Sequence, residues 1–413
     1  MRLWYIFALL GRISLYFSIF FCIPIVFALY DSTWREAIPY FCGGLISYGL
    51  GKIFALPLRS ESRIQRPEAM LFVASSWFYL CFLASIPYLI LGFSFADALF
   101  ESMSGLTTTG ATILTDFSAH NRTFFLWRAL TQWLGGLGVI ALFVIILPMI
   151  GVSGRQMLFA EGSSAPSEEL SSSASRNATL LWRLYTGLTI VCFVALHLAG
   201  MGYYDSIVHS FTTLSAGGFS PYGRSIADAA SPMVEWVLIF FMFLAGASFP
   251  LQLKILGGEW RKGVKDDEVR MYTGTIIACT GLLTYMLLYE QGGNFEGQFR
   301  TALFQVVSMI TSTGFASVDF DQWSDQLKVV LIIAMLVSGC AGSAGGGPKS
   351  IRILLSFRHI LRQLKQALYP KAAFALRYKN TVIPDVLLRS IRCRLNQLLI
   401  KFRKYRDCLM LCF

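Results

Sequence analysis

The sequence predicts an all-α polytopic membrane protein: two N-terminal helices, then repeated units of helix, re-entrant pore loop and helix. Composition is the first observation, since 55% of the residues are hydrophobic and only 14% charged, whereas soluble domains carry about 25% charged residues. Long apolar runs without charge are the second. The third is internal repetition, because three polar loops centred on glycine lie between such runs. Together they exclude an ordinary soluble domain.

Charge-free apolar runs are the candidate spanning helices, because about 20 such residues cross the hydrocarbon core. The run after Arg12 lacks a small-residue cleavage pattern, so we expect a retained helix rather than a signal peptide. The candidate runs, of which the second is the shortest, are residues 13–30, 37–51, 69–96, 132–151, 184–204, 236–253, 271–289 and 329–348.

The distribution of charge predicts the orientation. If the N-terminus is cytoplasmic, the loops on the cytoplasmic side carry a formal charge of +18 and those on the opposite side −7. Such an excess of Lys and Arg is typical of cytoplasmic loops. The basic balance is therefore assigned to an inner membrane face in contact with lipid, and no nucleic-acid partner is expected.

The internal repeat becomes visible when SMSGLTTTGAT, HSFTTLSAGGFS and VVSMITSTGFAS are aligned on Gly110, Gly218 and Gly314. The same register aligns three hydroxyl side chains, Ser104, Thr212 and Ser308, and three apolar ones, Leu106, Leu214 and Ile310. The predicted domains are residues 1–68 with two helices, the pore repeats 69–154, 155–256 and 257–368, and a basic tail, 369–413.

Each repeat contains an apolar segment before its glycine that is too short to cross the bilayer, so we expect a half-helix that enters and returns. Ser94 with Asp97 resembles a helix cap, and Asp205 and Asn294 precede the second and third half-helices. His209 is expected to be packed or hydrogen-bonded rather than a metal ligand. Re-entrant backbone is tolerated only inside protein or along a water-filled path, so three such loops predict a pore.

The loop chemistry suits a cation. An ion leaving water needs oxygen ligands, and backbone carbonyls supply them without a formal charge. Glycine gives the backbone freedom to aim these carbonyls, while Thr and Ser add hydroxyl oxygens. A merely polar turn would explain any single loop, but the three in register favour a filter.

The loops SGLTTTGAT, LSAGGFS and TSTGFAS resemble the first three selectivity-filter loops of the Trk/Ktr/HKT superfamily of potassium transporters, and the two leading helices resemble its bacterial TrkH branch. The resemblance implies a pseudo-fourfold pore in the bacterial inner membrane that passes K⁺, with no other cofactor. The implied ion-binding residues are Thr108, Thr109, Gly110, Ala216, Gly217, Gly218, Ser312, Thr313 and Gly314. It also implies a homodimer and a cytoplasmic, nucleotide-binding regulatory subunit of the TrkA type, bound near residues 349–377.

The segment SGCAGSAGGGPKS, residues 338–350, has three interpretations. A nucleotide-binding phosphate loop needs Gly-Lys-Ser in succession, but Pro348 interrupts it and removes an amide donor. A second interpretation is a helix kink that allows close packing. The resemblance implies the third, an intramembrane gate below the filter. Its residues would be Gly342, Ser343, Gly345, Gly346, Gly347 and Lys349.

The C-terminal segment departs from the resembled family, which places a fourth filter loop in the same chain. Residues 386–413 cannot supply the helix before it, because charges at the bilayer centre are unfavourable by a few kcal/mol each. The cations are Arg389, Arg392, Arg394, Lys401, Arg403, Lys404 and Arg406. The tail is either a basic segment on the inner leaflet or the product of a frameshift near Leu388, and we favour the second.

The sequence therefore indicates a transport protein rather than an enzyme. Potassium uptake through a Gly/Thr-lined filter, down the electrochemical gradient, is the expected function. Uptake of another monovalent cation is one alternative. A non-conducting truncated or regulatory fragment is another, because three loops would leave one side of the filter unlined, and we expect this chain alone to conduct poorly. An ATP-driven pump would need a nucleotide-binding domain, which the sequence does not indicate.

Overall fold

The computed structural model describes residues 2–55, 66–141, 167–228, 231–264, 266–369, 377–378 and 381–382. Within these ranges the chain is helical apart from connecting loops and one pair of two-residue strands. The tail segment 386–413 lies outside the described residues, so both interpretations of it stay predictions. The end of the fourth apolar run, residues 142–151, also lies outside them.

The first three helices form an N-terminal hairpin. They are α1 (Leu3–Phe20), α2 (Cys22–Tyr30) and α3 (Trp34–Phe54). A Cβ on Gly43 would lie 2.6 Å from the ring of Phe21, so the hairpin packs closely there. Near the other end, Ser14 Oγ donates a hydrogen bond to the Ser47 carbonyl at 2.7 Å. Both apolar runs predicted in residues 1–68 are thus helical.

The first pore repeat consists of α4 (Arg66–Ile90), the half-helix α5 (Phe95–Leu106) and α6 (Arg122–Ala141). The predicted cap of α5 is present: Ser94 Oγ accepts from the Asp97 amide at 3.2 Å and donates to the Asp97 carboxylate at 2.7 Å. With 12 residues, α5 extends about 18 Å, which is too short to cross a core of about 30 Å.

The second repeat contains α7 (Ser167–Leu198), α8 (Tyr203–Leu214), α9 (Pro232–Gly246), α10 (Phe249–Leu256) and α11 (Trp260–Val264), with a 3₁₀ turn at Ser225–Asp228. The half-helix α8 begins earlier than the sequence indicated. Its N-cap is Gly202, and Asp205 lies inside the first turn, where a carboxylate interacts favourably with the positive helix end.

The apolar run 236–253 is not one straight helix. α9 and α10 meet at an angle of 102°, because the backbone is extended at Ala247 and Ser248. Pro250, in the first turn of α10, has no amide hydrogen with which to continue a preceding helix. The run therefore forms a broken span rather than a simple crossing.

The third repeat contains α12 (Asp267–Gln291), the half-helix α13 (Phe295–Ile310), a 3₁₀ turn (Phe320–Gln322), α14 (Asp325–Leu336) and α15 (Ser350–Leu368). The antiparallel strands β1 (Arg377–Tyr378) and β2 (Thr381–Val382) follow. Asn294 caps α13 as predicted, since its Oδ1 accepts from the Glu296 amide at 3.4 Å. The run 329–348 leaves the helix at Leu336, before the glycines of the segment 338–350, so the chain is interrupted there rather than kinked.

The repeats pack in sequence. In each repeat the half-helix packs on the long helix before it, and the helix that follows it also packs on the next half-helix, α6 on α8 and α9 on α13. Four helical stretches in the described ranges are long and apolar enough to cross a membrane, and α9 with α10 makes a fifth if counted as one broken span. This multi-pass arrangement brings the C-terminal ends of the three half-helices towards one region.

Candidate ion filter and gate

The three half-helices end in loops with the same backbone conformation. We call them loop 1 (residues 107–112), loop 2 (residues 215–220) and loop 3 (residues 311–317). Each has a non-glycine residue with positive φ and, two positions later, the loop glycine. The non-glycine residues are Thr108 at 54°, Ala216 at 53° and Ser312 at 56°, and the loop glycines are Gly110 at 77°, Gly218 at 76° and Gly314 at 79°. The backbone angles thus repeat in the register found in the sequence.

The positive φ before each loop glycine belongs to a Schellman arrangement, in which two amides bond back to the last helical turn. In loop 1, Thr108 N donates to Gly105 O at 3.0 Å and Thr109 N donates to Ser104 O at 2.9 Å, and loops 2 and 3 make the equivalent pairs. Glycine usually occupies the left-handed position, where an L-residue is less stable by about 1–2 kcal/mol. All three loops therefore retain this local strain.

The loop glycines mark where neighbouring loops touch. A Cβ on Gly110 would overlap the carbonyl oxygen of Gly217, and a Cβ on Gly218 would overlap that of Thr313. Loop 1 therefore contacts loop 2, and loop 2 contacts loop 3, each time through a glycine and the carbonyl that precedes the next glycine. At Gly314, no non-neighbouring atom of the described residues lies within 4 Å of the Cβ position.

Within the described residues the three loops form an arc with two exposed ends. Gly217 and Thr313, which precede their loop glycines, are buried, whereas the equivalent Thr109 is exposed. Gly314 is exposed, whereas Gly110 is half-buried. Thr109 and Gly314 therefore mark the two ends of the arc within the described residues.

Hydroxyl groups inside the half-helices hold the carbonyl that follows the loop glycine. Ser104 Oγ donates to Ala111 O at 2.5 Å, and Ser308 Oγ donates to Phe315 O at 2.7 Å. Thr212, at the equivalent position, donates only to carbonyls of its own helix. The aligned hydroxyl positions therefore support loops 1 and 3 directly, but not loop 2.

A second supporting set, nine positions before each loop glycine, was missed in the sequence. Its members Glu101, His209 and Gln305 are fully buried. Each pairs with a hydroxyl just beyond the loop glycine: Glu101 with Thr112 at 2.6 Å, His209 with Ser220 at 3.2 Å and Gln305 with Ser317 at 3.5 Å. All three residues stand at the same distance from their loop glycine, which could have revealed them. Their residue types differ, however, so sequence similarity between the repeats does not. His209 is hydrogen-bonded, as predicted.

Polar side chains of α6 also reach the loops, and they too were missed. Gln132 Nε2 donates to Gly217 O at 2.6 Å, and Gln132 Oε1 accepts from Phe219 N at 3.2 Å. One turn earlier, Arg128 Nε pairs with Glu101 Oε2 at 3.1 Å. A helix of repeat 1 thus contacts loop 2 as well as the support of loop 1.

Two exposed carboxylates follow loops 1 and 2 in the connections outside the helices. The hydroxyl and amide of Ser118 donate to Asp116 and lower the pKa of its carboxyl. The amide and guanidinium of Arg224 donate to Asp228 and lower its pKa likewise. Both carboxylates are therefore ionised at neutral pH. The Arg224 guanidinium lies 2.7 Å from Asp228 and offsets its charge, so of these two carboxylates it is Asp116 that attracts cations towards this side.

The chain between α14 and α15 forms a non-helical segment that we call the glycine loop (residues 337–349). It fits into the bend between α9 and α10. Cys340 N donates to Gly246 O at 2.8 Å, and Phe249 N donates to Gly342 O at 3.1 Å. The broken span of repeat 2 and the interrupted span of repeat 3 thus satisfy each other's backbone groups, as non-helical chain at membrane depth requires.

The glycine loop also touches loop 3. Gly346 N donates to Ser312 Oγ at 2.5 Å, and a Cβ on Gly345 would lie only 2.5 Å from Thr311 O. Displacement of the glycine loop would therefore remove a hydrogen bond from the strained residue of loop 3.

Lys349 lies at the end of the glycine loop, with its side chain turned back into it. Lys349 is 7% exposed, and its ammonium donates to the Ser343 carbonyl at 3.3 Å, to Ser343 Oγ at 3.2 Å and to the Gly345 carbonyl. The six candidate gate residues, Gly342, Ser343, Gly345, Gly346, Gly347 and Lys349, thus lie in one segment closed by a lysine.

The chain matches the family model described as TrkH, cation transport protein, over residues 46–265 and 286–391. The matched ranges include loops 1 and 2 in the first part, and loop 3 with the glycine loop in the second.

Individual relatives agree with the family match. The chain is 34% identical over 356 residues to the Trk system potassium uptake protein TrkH of Salmonella typhimurium, which is 84% of this chain and 73% of that protein. It is 33% identical over 407 residues to the Halomonas elongata protein of the same name, covering 95% of this chain and 82% of that one. The crystal structure of the potassium transporter TrkH from Vibrio parahaemolyticus matches with a TM-score of 0.86 and 29% identity, over 96% of this chain and 83% of the other.

Proposed function

The chain belongs to the TrkH family of cation transport proteins, and we propose that it takes up K⁺ across the bacterial inner membrane with loops 1, 2 and 3 as its filter. The observation that carries the proposal is the arc of three strained loops in contact through their glycines. Such backbone is unusual, and its threefold recurrence in one contiguous arc supports a shared task at one axis.

The loops offer the ligands that a dehydrated K⁺ needs. We assign ion binding to the carbonyl and threonine hydroxyl oxygens of Thr108, Thr109, Gly110, Ala216, Gly217, Gly218, Ser312, Thr313 and Gly314. The Ser312 hydroxyl is excluded from this set, because it already donates to the Thr311 carbonyl and accepts from Gly346 N. Gly217 O already accepts a hydrogen bond from Gln132, and a carbonyl oxygen retains a second lone pair for an ion. Each half-helix also ends at its loop, so its partially negative C-terminus favours a cation there.

We assign gating to the glycine loop. The hydrogen bond from Gly346 N to Ser312 and the close approach of Gly345 to Thr311 O connect the glycine loop to the filter. A regulatory movement of α15 would be transmitted through Lys349, which links the start of α15 to the inside of the glycine loop. The gate and the third filter loop would then change together.

The names of the relatives place them in Trk systems, and we propose that this chain is the membrane component of such a system. Its partners would be a second copy and a cytoplasmic nucleotide-binding subunit of the TrkA type. The N-terminus would lie in the cytoplasm, which is supported by the formal charge of the loops, +18 on that side and −7 on the other.

Uptake into cells that lack their own potassium transporters tests the proposal. If loops 1, 2 and 3 are sufficient for conduction, cells expressing residues 1–413 will grow at low K⁺ and accumulate rubidium, with weak competition by sodium. Gly218→Ala, which places a methyl group against the Thr313 carbonyl, is the matched inactive control. Equal uptake of sodium and rubidium would contradict potassium selectivity and favour a different monovalent cation.

A second candidate function is a subunit that conducts only when another chain completes its filter. The exposed positions of Thr109 and Gly314 favour it. Expression alone and together with an intact relative separates the two functions. Uptake by the chain alone supports a self-sufficient transporter, whereas co-purification with the relative and no uptake alone supports the second candidate.

A further inference from the structure

We propose that Arg128 is a selectivity-determining positioning residue, which with Glu101 fixes the spacing between loops 1 and 2. The inference rests on the proposed function, because it concerns the same filter. It adds a residue outside the loops, on α6, that would control how well the filter distinguishes K⁺ from Na⁺.

The first contact is with the support of loop 1. The side chains of Arg128 and Glu101 are 1% and 0% exposed, and Nε lies 3.1 Å from Oε2. The other carboxylate oxygen accepts from Thr112 Oγ1 at 2.6 Å and from Ile113 N at 2.8 Å. Arg128 Nη2 donates to Thr112 Oγ1 at 3.0 Å. The ion pair therefore immobilises the chain directly after Gly110.

The second contact is with loop 2. The guanidinium carbon of Arg128 lies 3.9 Å from the ring centroid of Phe219, the residue after Gly218. At that distance the planar guanidinium stacks on the aromatic face, a geometry that an ammonium cannot reproduce. Arg128 Nη1 is buried and has no hydrogen-bond partner in the described part of the chain. Its position is thus set by stacking as well as by the ion pair.

The other two loops show that an ion pair is not needed merely to hold one loop. His209 and Gln305 occupy the position of Glu101 and hold the following hydroxyl with neutral groups. A buried ion pair is a poor source of stability, because desolvation of both charges offsets their attraction. Arg128 differs from these neutral groups because it contacts Thr112 and Phe219 at the same time, one in each of two adjacent loops.

The test compares ion preference among three variants of the full chain and the unmodified chain. Arg128→Lys keeps the positive charge beside Glu101 but loses the planar face. Glu101→Gln with Arg128→Met removes both charges and gives loop 1 the same neutral amide that loop 3 has in Gln305. Arg300→Lys is the control, since Arg300 pairs with Glu235 at 2.7 Å at a half-helix far from its loop.

Two readouts are measured for each variant. One is the rubidium-to-sodium uptake ratio in transporter-deficient cells. The other is the rise in unfolding temperature of the purified protein on titration with KCl or NaCl against choline chloride, which reports ion binding without requiring flux. We expect Arg128→Lys and the double variant to lose about tenfold in K⁺ preference, as for one lost interaction. Arg300→Lys should keep the wild-type preference.

The outcomes separate the two claims. A folded double variant that keeps its K⁺ preference overturns the positioning role while leaving the proposed function intact. An equal loss in Arg300→Lys also overturns it, because any weakened ion pair would then act alike. If the unmodified chain shows no K⁺ preference in either readout, the proposed function fails and the inference fails with it. If Arg128→Lys does not fold, the double variant decides.

Discussion

Loop 1 and loop 3 have nearly identical backbone angles, and the equivalent Ser104 and Ser308 hold the same carbonyl in each, but their other supporting groups differ. Loop 1 is supported by the buried pair of Arg128 and Glu101, donated in part by the helix that follows it. Loop 3 is supported by neutral side chains of its own half-helix and is touched by the glycine loop through Ser312. The chain has thus kept one backbone arrangement while varying the chemistry around it.

This difference assigns different tasks to the two ends of the arc. Charged groups in a low-dielectric region hold one geometry firmly, because any separation of the pair is unfavourable. A hydrogen bond between neutral groups is worth only about 0.5–1.5 kcal/mol, so loop 3 can be released by a moving neighbour. In the proposed transporter, loop 1 would therefore be the fixed end of the arc, and loop 3 the end that responds to the gate.

The largest expected effects come from alanine at the loop glycines. Gly110→Ala and Gly218→Ala should abolish K⁺ uptake, because the new methyl group overlaps a carbonyl oxygen of the adjacent loop. Gly314→Ala should lower uptake only about tenfold, since it adds left-handed strain of about 1–2 kcal/mol without a steric overlap. Initial rubidium uptake, normalised to protein in the membrane, measures the series. Complete loss in Gly314→Ala would show that another segment stands against loop 3.

The next effect concerns the contact between gate and filter. Ser312→Ala removes the hydroxyl that accepts from Gly346 N, so the glycine loop should leave its present position more often. We expect basal uptake to rise about threefold to tenfold, the equivalent of one neutral hydrogen bond. Gly345→Ala, whose methyl group would press on Thr311 O, should also raise basal uptake.

Thr108→Ala is the comparison at the fixed end of the arc. It alters the equivalent residue of loop 1, for which no contact with the glycine loop is present in the described structure. It should not raise basal uptake. If Thr108→Ala raises basal uptake as much as Ser312→Ala does, the proposed difference in role between loop 1 and loop 3 is wrong.

Local sequence signals were sufficient to predict the helices of repeats 1 and 3, which contain the two ends of the arc. Apolar runs mark α4 and α12, and the caps at Ser94 and Asn294 mark the half-helices because a cap is formed by residues adjacent in sequence. The loop glycines revealed the repeat because all three positions require positive φ, which favours the same residue type in each.

Contacts between distant segments were not predictable in the same way. The bend at Ala247 and the early end of α14 depend on backbone bonds between the glycine loop and repeat 2. The pair of Glu101 and Arg128 joins two helices, and its members resemble isolated charges in the sequence. At the position nine residues before the loop glycine, the three repeats use different side chains, Glu101, His209 and Gln305, to pair with the hydroxyl beyond that glycine.

A smaller effect is expected from the hydroxyl groups that hold the carbonyl after the loop glycine. Ser104→Ala and Ser308→Ala each remove one hydrogen bond to that carbonyl. Both should reduce the preference for K⁺ over Na⁺ about threefold, less than the loss of a charged interaction. Thr212→Val is the matched control, because Thr212 bonds only within its own helix. A threefold loss in Thr212→Val would assign the effect to helix packing instead.

The smallest effect lies at the far ends of the same two half-helices. Ser94→Ala removes a reciprocal cap and should lower the free energy of unfolding by about 1 kcal/mol. Asn294→Ala removes a longer bond, 3.4 Å to the Glu296 amide, and should have less effect. Neither should change ion preference, because both caps lie at the start of a half-helix, away from its loop. Thermal unfolding with a parallel uptake ratio separates the two properties. A change in ion preference without a change in stability would mean that the start of the half-helix influences the filter. The groups that hold loop 1 in place would then include the N-terminal cap of its half-helix as well as Arg128.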